Sequence, residues 1–142
     1  MVYDKIFLAL LATSSAHAEA SRKVFAELGL TEGQPKVLYI LNRKDGYVQK
    51  DLAEICGIRQ STLTVLLTKL EQQNFIEKRV CHVSGGKHAN RIYLTKEGRV
   101  MAEHLEDAIE DLEQKTFKSF TKEEREGLLR LLSKAEENIR EG

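Results

Sequence analysis

The chain has a single proline among 142 residues, no tryptophan and few aromatic residues overall. One proline leaves long helices with little to interrupt them. Scarce aromatic rings leave few platforms on which unpaired bases can stack, which counts against recognition of RNA. Two cysteines, Cys56 and Cys81, are too few for a disulfide framework, so a reducing compartment is the expectation. No apolar run is long enough to span a bilayer. A phosphate loop, a nucleophile with its base and a pair of facing carboxylates are all missing, so no enzymatic activity is expected. No cofactor or metal site is expected either.

Net charge is also missing: 22 Lys and Arg balance 22 Asp and Glu. The balance is not local. Residues 43–91 carry nine Lys/Arg against five Asp/Glu, and residues 92–142 carry nine against thirteen. A phosphate-binding surface requires local positive charge, and the middle of the chain supplies it. The length suits a single chain with one real core.

The apolar stretch Ile6–Ala12, followed by Ala16-His17-Ala18, resembles a secretory leader with its cleavage site. Asp4 offsets Lys5 in what should be a basic start, and helical periodicity continues to Val24, Phe25 and Leu28. The expectation is therefore a long first helix, from about Tyr3 to Leu28, in a cytoplasmic protein. Gly29 is placed to end that helix. Thr31-Glu32-Gly33-Gln34 reads as a capping box for a second helix, with Pro35 in its first turn.

Tyr47-Val48 is long enough for only a tiny strand. A short helix over Gln49–Cys56, with Leu52, Ala53 and Ile55 for its buried side, is closed by Gly57. A further helix runs from Arg59 or Gln60 to about Asn74. Residues 76–83 and 90–94 alternate as two strands around Ser84-Gly85-Gly86-Lys87. Thr95 caps a long helix to about Phe117. Thr121-Lys122-Glu123-Glu124 is a capping box for the last one.

A helix, a glycine turn, a second helix and a β-hairpin make a winged helix-turn-helix arrangement. The test is whether the second helix has two usable faces. At 3.6 residues per turn Leu63, Leu66, Leu67 and Leu70 form one narrow stripe. Opposite them lie Ser61, Thr64, Val65, Thr68 and Gln72, with Lys69 at the edge. Small hydroxyl side chains fit against a groove wall, and Val65 can meet a thymine methyl or be a plain surface valine. Lys78, Arg79, Lys87, His88 and Arg91 cluster around the hairpin, where they can grip phosphates or enter a minor groove. The candidate DNA-binding set is Arg59, Gln60, Ser61, Thr62, Thr64, Val65, Thr68, Lys69, Arg79, Lys87, His88 and Arg91.

Several of these segments carry a family resemblance. Thr31-x-x-Gln34-x-x-Val37-Leu38 is similar to the opening of the second helix in the MarR family of transcriptional regulators. Gln49-Lys50-Asp51-Leu52-Ala53 resembles the Gln-x-x-Leu-Ala segment of that family. Ser61-Thr62-Leu63-Thr64 followed by Leu70–Arg79 resembles its recognition helix and first wing strand, and Tyr93–Gly98 its wing end. The likeness covers essentially the whole chain and implies double-stranded DNA as partner. It departs from the family where Gly86-Lys87-His88 replaces the usual Asp-x-Arg of the wing, and where Val65 replaces a frequent basic residue.

The resemblance implies a mainly α fold with a small β-hairpin wing. Residues 31–95 form the winged helix-turn-helix region, and 1–30 with 96–142 the helical dimerisation region. The last helix carries six aliphatic positions in twelve residues, more than one subunit can cover. A homodimer on a pseudo-palindromic operator follows, with release by a small-molecule effector in a crevice to which His17, Tyr39 and His104 are assigned. Two alternatives stand beside it. One is a redox- or metal-responsive regulator of the same fold, through Cys81 with His82 and His88. The other is a winged-helix module for protein contact alone.

Overall fold

The computed structural model describes residues 3–142. Among them are helices α1 (Ile6–Glu27), α2 (Gln34–Arg43), α3 (Gln49–Cys56), α4 (Gln60–Gln72), α5 (Lys96–Thr116) and α6 (Lys122–Glu141). Strands β1 (Tyr47–Val48), β2 (Ile76–His82) and β3 (His88–Leu94) form one antiparallel sheet in the order β1-β3-β2. The element order is the expected one, tiny strand included. Contacts divide the chain into two compact units, residues 1–108 and 109–142.

The first unit is organised around leucines. Val37, Leu38 and Leu41 of α2, Leu52, Ala53 and Cys56 of α3, and Leu63, Leu67 and Leu70 of α4 are all buried. Ile76, Ile92 and Leu94 of the sheet and Ala102 and Leu105 of α5 complete the core. Gly57 sits at φ 68° and ψ 33°, the left-handed region where a side chain is strained, and there the chain turns from α3 to α4. A polar tie joins the start of α2 to the residue that ends α4. Gln34 is buried, its Nε2 donates to Gln73 Oε1 at 2.8 Å, and its Oε1 accepts the Thr31 N–H at 3.0 Å.

Four expectations need adjustment. Helix α1 starts at Ile6 rather than Tyr3, and it runs unbroken through Ala16–Ala18. Thr31 does not cap α2: the cap position is Gly33 at φ 91°, and only the Gln34 half of the expected box is made. Leu66 lies against that glycine, with room for no more than a squeezed Cβ at 3.0 Å. Ile55 is exposed, and Cys56 takes the buried place expected of it. From Leu52 a step of four residues returns to the same face, whereas three to Ile55 falls at its edge. Strand β3 begins at His88, two residues early, because the turn is closed by Val83 N–H donating to Lys87 O at 2.9 Å.

In the second unit the capping box of α6 forms as read. The Glu124 N–H donates to Thr121 Oγ1 at 3.1 Å, and the Thr121 N–H to Glu124 Oε1 at 2.9 Å. Phe117 and Phe120 meet edge to face, and Arg125 Nη2 donates to Glu113 O at 3.0 Å. No residue of α6 is buried.

Candidate nucleic-acid interface

Helix α4 has the two faces that its sequence requires. Leu63, Leu67 and Leu70 are fully buried, while Ser61, Thr62, Thr64, Thr68, Lys69 and Gln72 are exposed. Val65 is 64% exposed on that outer face, which puts a branched apolar group where water should be. The cap residue Arg59 makes no side-chain bond to the helix, so the first N–H groups of α4 are free of a capping side chain and suit an anion.

The hydroxyls are less free than their exposure suggests. Thr64 Oγ1 donates to Gln60 O at 2.9 Å, and Thr68 Oγ1 donates to Thr64 O at 2.9 Å. Their protons are committed to the helix's own carbonyls. What each hydroxyl still offers is acceptor capacity, which suits a base amino group rather than a phosphate, and at Thr64 part of that capacity is taken by Gln49. Gln49, at the start of α3, donates through Nε2 to Thr64 Oγ1 at 2.6 Å and so ties the two helices together at the outer face. The sequence shows Gln49 only as the opening of the Gln-x-x-Leu-Ala segment and assigns it no part in the site. Its role depends on an approach of two helices that no local pattern encodes.

The hairpin sorts the basic residues by parity. In the β2–β3 register Arg79 stands directly opposite Arg91, and by strand alternation Lys87 shares their face. Lys78 and His88 lie on the other face, where Ile76, Ile92 and Leu94 enter the core. The expected cluster is therefore divided. Arg79 stacks on Tyr93 at 4.1 Å and is paired with Glu77, a hydrogen bond that raises the already high pKa of its guanidinium. Arg91 Nη1 donates to Gly46 O at 2.8 Å, clamping β3 to the turn before β1. Lys78 is half-buried and 3.9 Å from Glu71. Lys87 and His88 are exposed beside the turn.

Two ties hold the hairpin to the body. Asp45 Oδ2 accepts the Leu94 N–H at 3.0 Å and lies 3.4 Å from Arg99 Nη2, whose Nη1 donates to Asn42 Oδ1 at 3.0 Å. At the wing's foot, Thr95 Oγ1 caps α5 by accepting the Gly98 N–H at 2.9 Å. A Cβ on Gly98 would come within 1.8 Å of Phe75 O, so only glycine lets α5 cross the start of β2 here.

Residues 30–84 match the profile of the MarR family. A regulator of Bacillus subtilis, described as an uncharacterized HTH-type transcriptional regulator YybA, is 30% identical over 115 residues, which are 81% of this chain and 75% of its own. The chain belongs to the MarR family. Among solved structures, a MarR-family regulator from Silicibacter pomeroyi superposes with a TM-score of 0.76 at 26% identity, over 92% of this chain and 87% of that one. A putative MarR-family regulator from Listeria monocytogenes, complexed with 26mer DNA, gives 0.82 at 25% identity, over 96% and 90%. Like its relatives, this MarR-family chain is a transcriptional regulator and not an enzyme.

Of the three residues assigned to an effector crevice, only His17 lines the cleft beside α1. That cleft, of about 270 Å³, is lined also by Ser21, Arg22, Phe25, Pro35 and Lys36. Tyr39 lies outside it. The Tyr39 hydroxyl accepts from Arg43 Nη2 at 2.6 Å, and Arg43 in turn lies 3.1 Å from Glu106. His104 is exposed on α5 and also outside the cleft. Ser21 is the residue that the sequence did not flag: it is buried, and its Oγ has no hydrogen-bond partner. Of the two thiols, Cys81 is half-buried on the outer face of the hairpin and Cys56 is sealed in the core. Burial pushes the Cys56 pKa up, against a smaller opposing pull from Lys36.

Proposed function

We propose that this regulator binds a pseudo-palindromic operator as a homodimer, with α4 of each subunit in the major groove and the hairpin on the flanking backbone. The observation that carries the reading is the division of α4 into a leucine face sealed in the core and an outer face of Ser61, Thr62, Thr64, Val65 and Thr68. Arg59, Gln60 and Lys69 flank that face; Arg79, Lys87 and Arg91 supply phosphate contacts from one face of the hairpin, and His88 from the other face beside the turn. The Listeria relative, solved with DNA, supports the same partner for this chain. Two half-sites about 34 Å apart match two recognition helices related by a two-fold axis.

The dimerisation region is residues 1–30 with 96–142. Ile6, Phe7, Leu10 and Leu11 on α1 are exposed, with Ile6 at 81%. Leu129, Leu131, Leu132 and Ile139 on α6 are exposed as well. Burial in a second copy removes these groups from water at a gain of about 1.5–3 kcal/mol for each side chain fully covered.

The effector site is the cleft at His17, Ser21, Arg22 and Lys36. Its two cations, Arg22 and Lys36, outnumber the one acid, Glu32, and with the Phe25 ring and the unpartnered Ser21 hydroxyl they suit a small aromatic acid. As a DNA-binding regulator, the protein works in the cytoplasm.

The experiment is a mobility-shift titration on fragments from the protein's own upstream region, repeated over a salt series. A phosphate-gripping mode loses affinity steeply as salt rises, with the log–log slope set by the number of phosphates engaged. A flat profile, or no binding to any fragment, contradicts the reading and favours protein contact alone.

A further inference from the structure

The turn of the hairpin places two imidazoles opposite each other, their ring planes tilted by 52°. His82 and His88 are direct partners in the β2–β3 register. The turn hydrogen bond from Val83 N–H to Lys87 O makes the 83–87 pair a hydrogen-bonded one. Alternation then makes 82–88 a non-hydrogen-bonded pair, the class whose side chains stand closest. Their ring centres are 4.6 Å apart, and both side chains are exposed. The core gains nothing from this pairing.

We propose that His82 and His88 form a two-histidine site for a late first-row transition-metal ion at the tip of the wing. The spacing selects among ions. A metal about 2.0–2.1 Å from one nitrogen of each ring lies about 3.2 Å from each ring centre, given the size of an imidazole. Ring centres 4.6 Å apart then subtend about 90° at the metal. That is the cis angle of tetragonal copper(II) or nickel(II), and it is tighter than the tetrahedral angle of zinc.

Protein ligands stop at two. Cys81 is excluded by alternation, because it points to the opposite face with Ala89. No group of three or more His, Cys, Asp or Glu that could share an ion occurs among the described residues, so water fills the remaining positions. The bound ion ties the two strands together across Ser84–Lys87 and adds positive charge next to Lys87. The sequence groups these two histidines with Cys81, and only the strand register separates the cysteine from the pair.

The test is nickel(II) chloride titrated into the full chain by calorimetry, without DNA. The wild type is expected to bind one ion per chain. His82→Ala and His88→Ala are each expected to lower the affinity at least tenfold, and His17→Ala and His104→Ala to leave it unchanged. A second readout uses the wild type alone: substoichiometric copper(II) should broaden the ring-proton signals of His82 and His88 together. Single variants that bind as tightly as wild type, binding that depends on His17 or His104, or broadening of only one of the two rings overturns the proposal.

Discussion

Cys56 shows how a residue with no periodic signal can take the buried place expected of its neighbour Ile55. A small, weakly polar thiol at the end of a short helix gives no periodic signal, and Ile55 was the more apolar choice for the buried position. In the fold the thiol is fully buried and stays protonated, because desolvation penalises the thiolate. Its pKa is thus higher in the folded chain than in the unfolded one. The associated stability is present below the unfolded thiol's pKa, about 8.5, and is lost as pH rises from there through the raised folded value. Chemical denaturation between pH 8 and 11 should show this fall, and Cys56→Ala should flatten it. Equal slopes for the two proteins contradict the assignment.

Arg91 is the second residue with a clear expectation. It is exposed, anchored to Gly46 O and opposite Arg79, so two guanidinium groups share one face, and only Arg79 has a carboxylate partner, Glu77. Like charges directly opposite destabilise a sheet slightly, and a bound phosphate reverses the sign. Arg91→Ala should weaken operator and non-operator DNA alike and reduce the salt slope by about 1. Loss confined to one operator position would instead mark base reading.

At the scale of elements, legibility followed the kind of signal. The leucines at positions 63, 67 and 70 announced the core face of α4 because helical periodicity is local. Thr121 and Glu124 announced the start of α6 for the same reason, since a capping box closes within four residues. Thr31 misled because Gly33 adopts a positive φ and takes the cap position itself. The basic hairpin residues looked like one cluster because linear order does not show which face each side chain takes. That depends on register, and the turn at Ser84–Lys87 sets it. The Gln49–Thr64 bond had no linear signal at all.

The foot of the wing gives an element-scale prediction. Gly98 lies in the first turn of α5, where a methyl group would collide with the Phe75 carbonyl. Backbone cannot step aside as a flexible side chain can. Gly98→Ala should therefore destabilise the fold by about 3 kcal/mol or more, beyond ordinary overpacking. A melting temperature within two or three degrees of wild type, measured by circular dichroism, would contradict that packing.

For the whole molecule the central issue is the uncovered apolar surface. Helix α6 buries none of its residues within the chain, yet Leu129 is 69% and Ile139 is 76% exposed. In the proposed homodimer these exposed aliphatic residues lie in the interface. The double variant Leu132→Glu/Ile139→Glu should sediment as a monomer and lose most operator affinity, because each monomer reaches only one half-site. A variant that remains dimeric would move the interface elsewhere on the chain.

The claim on which the account rests is that α4 presents its threonine face to the groove. The most direct measurement is amide chemical-shift mapping of the full protein, with and without a duplex selected from its own upstream region. The account predicts shifts concentrated in residues 59–69 and in 79 and 87–91, with Thr64, Val65 and Thr68 among the largest. Shifts that leave α4 untouched while the protein still binds DNA would contradict it.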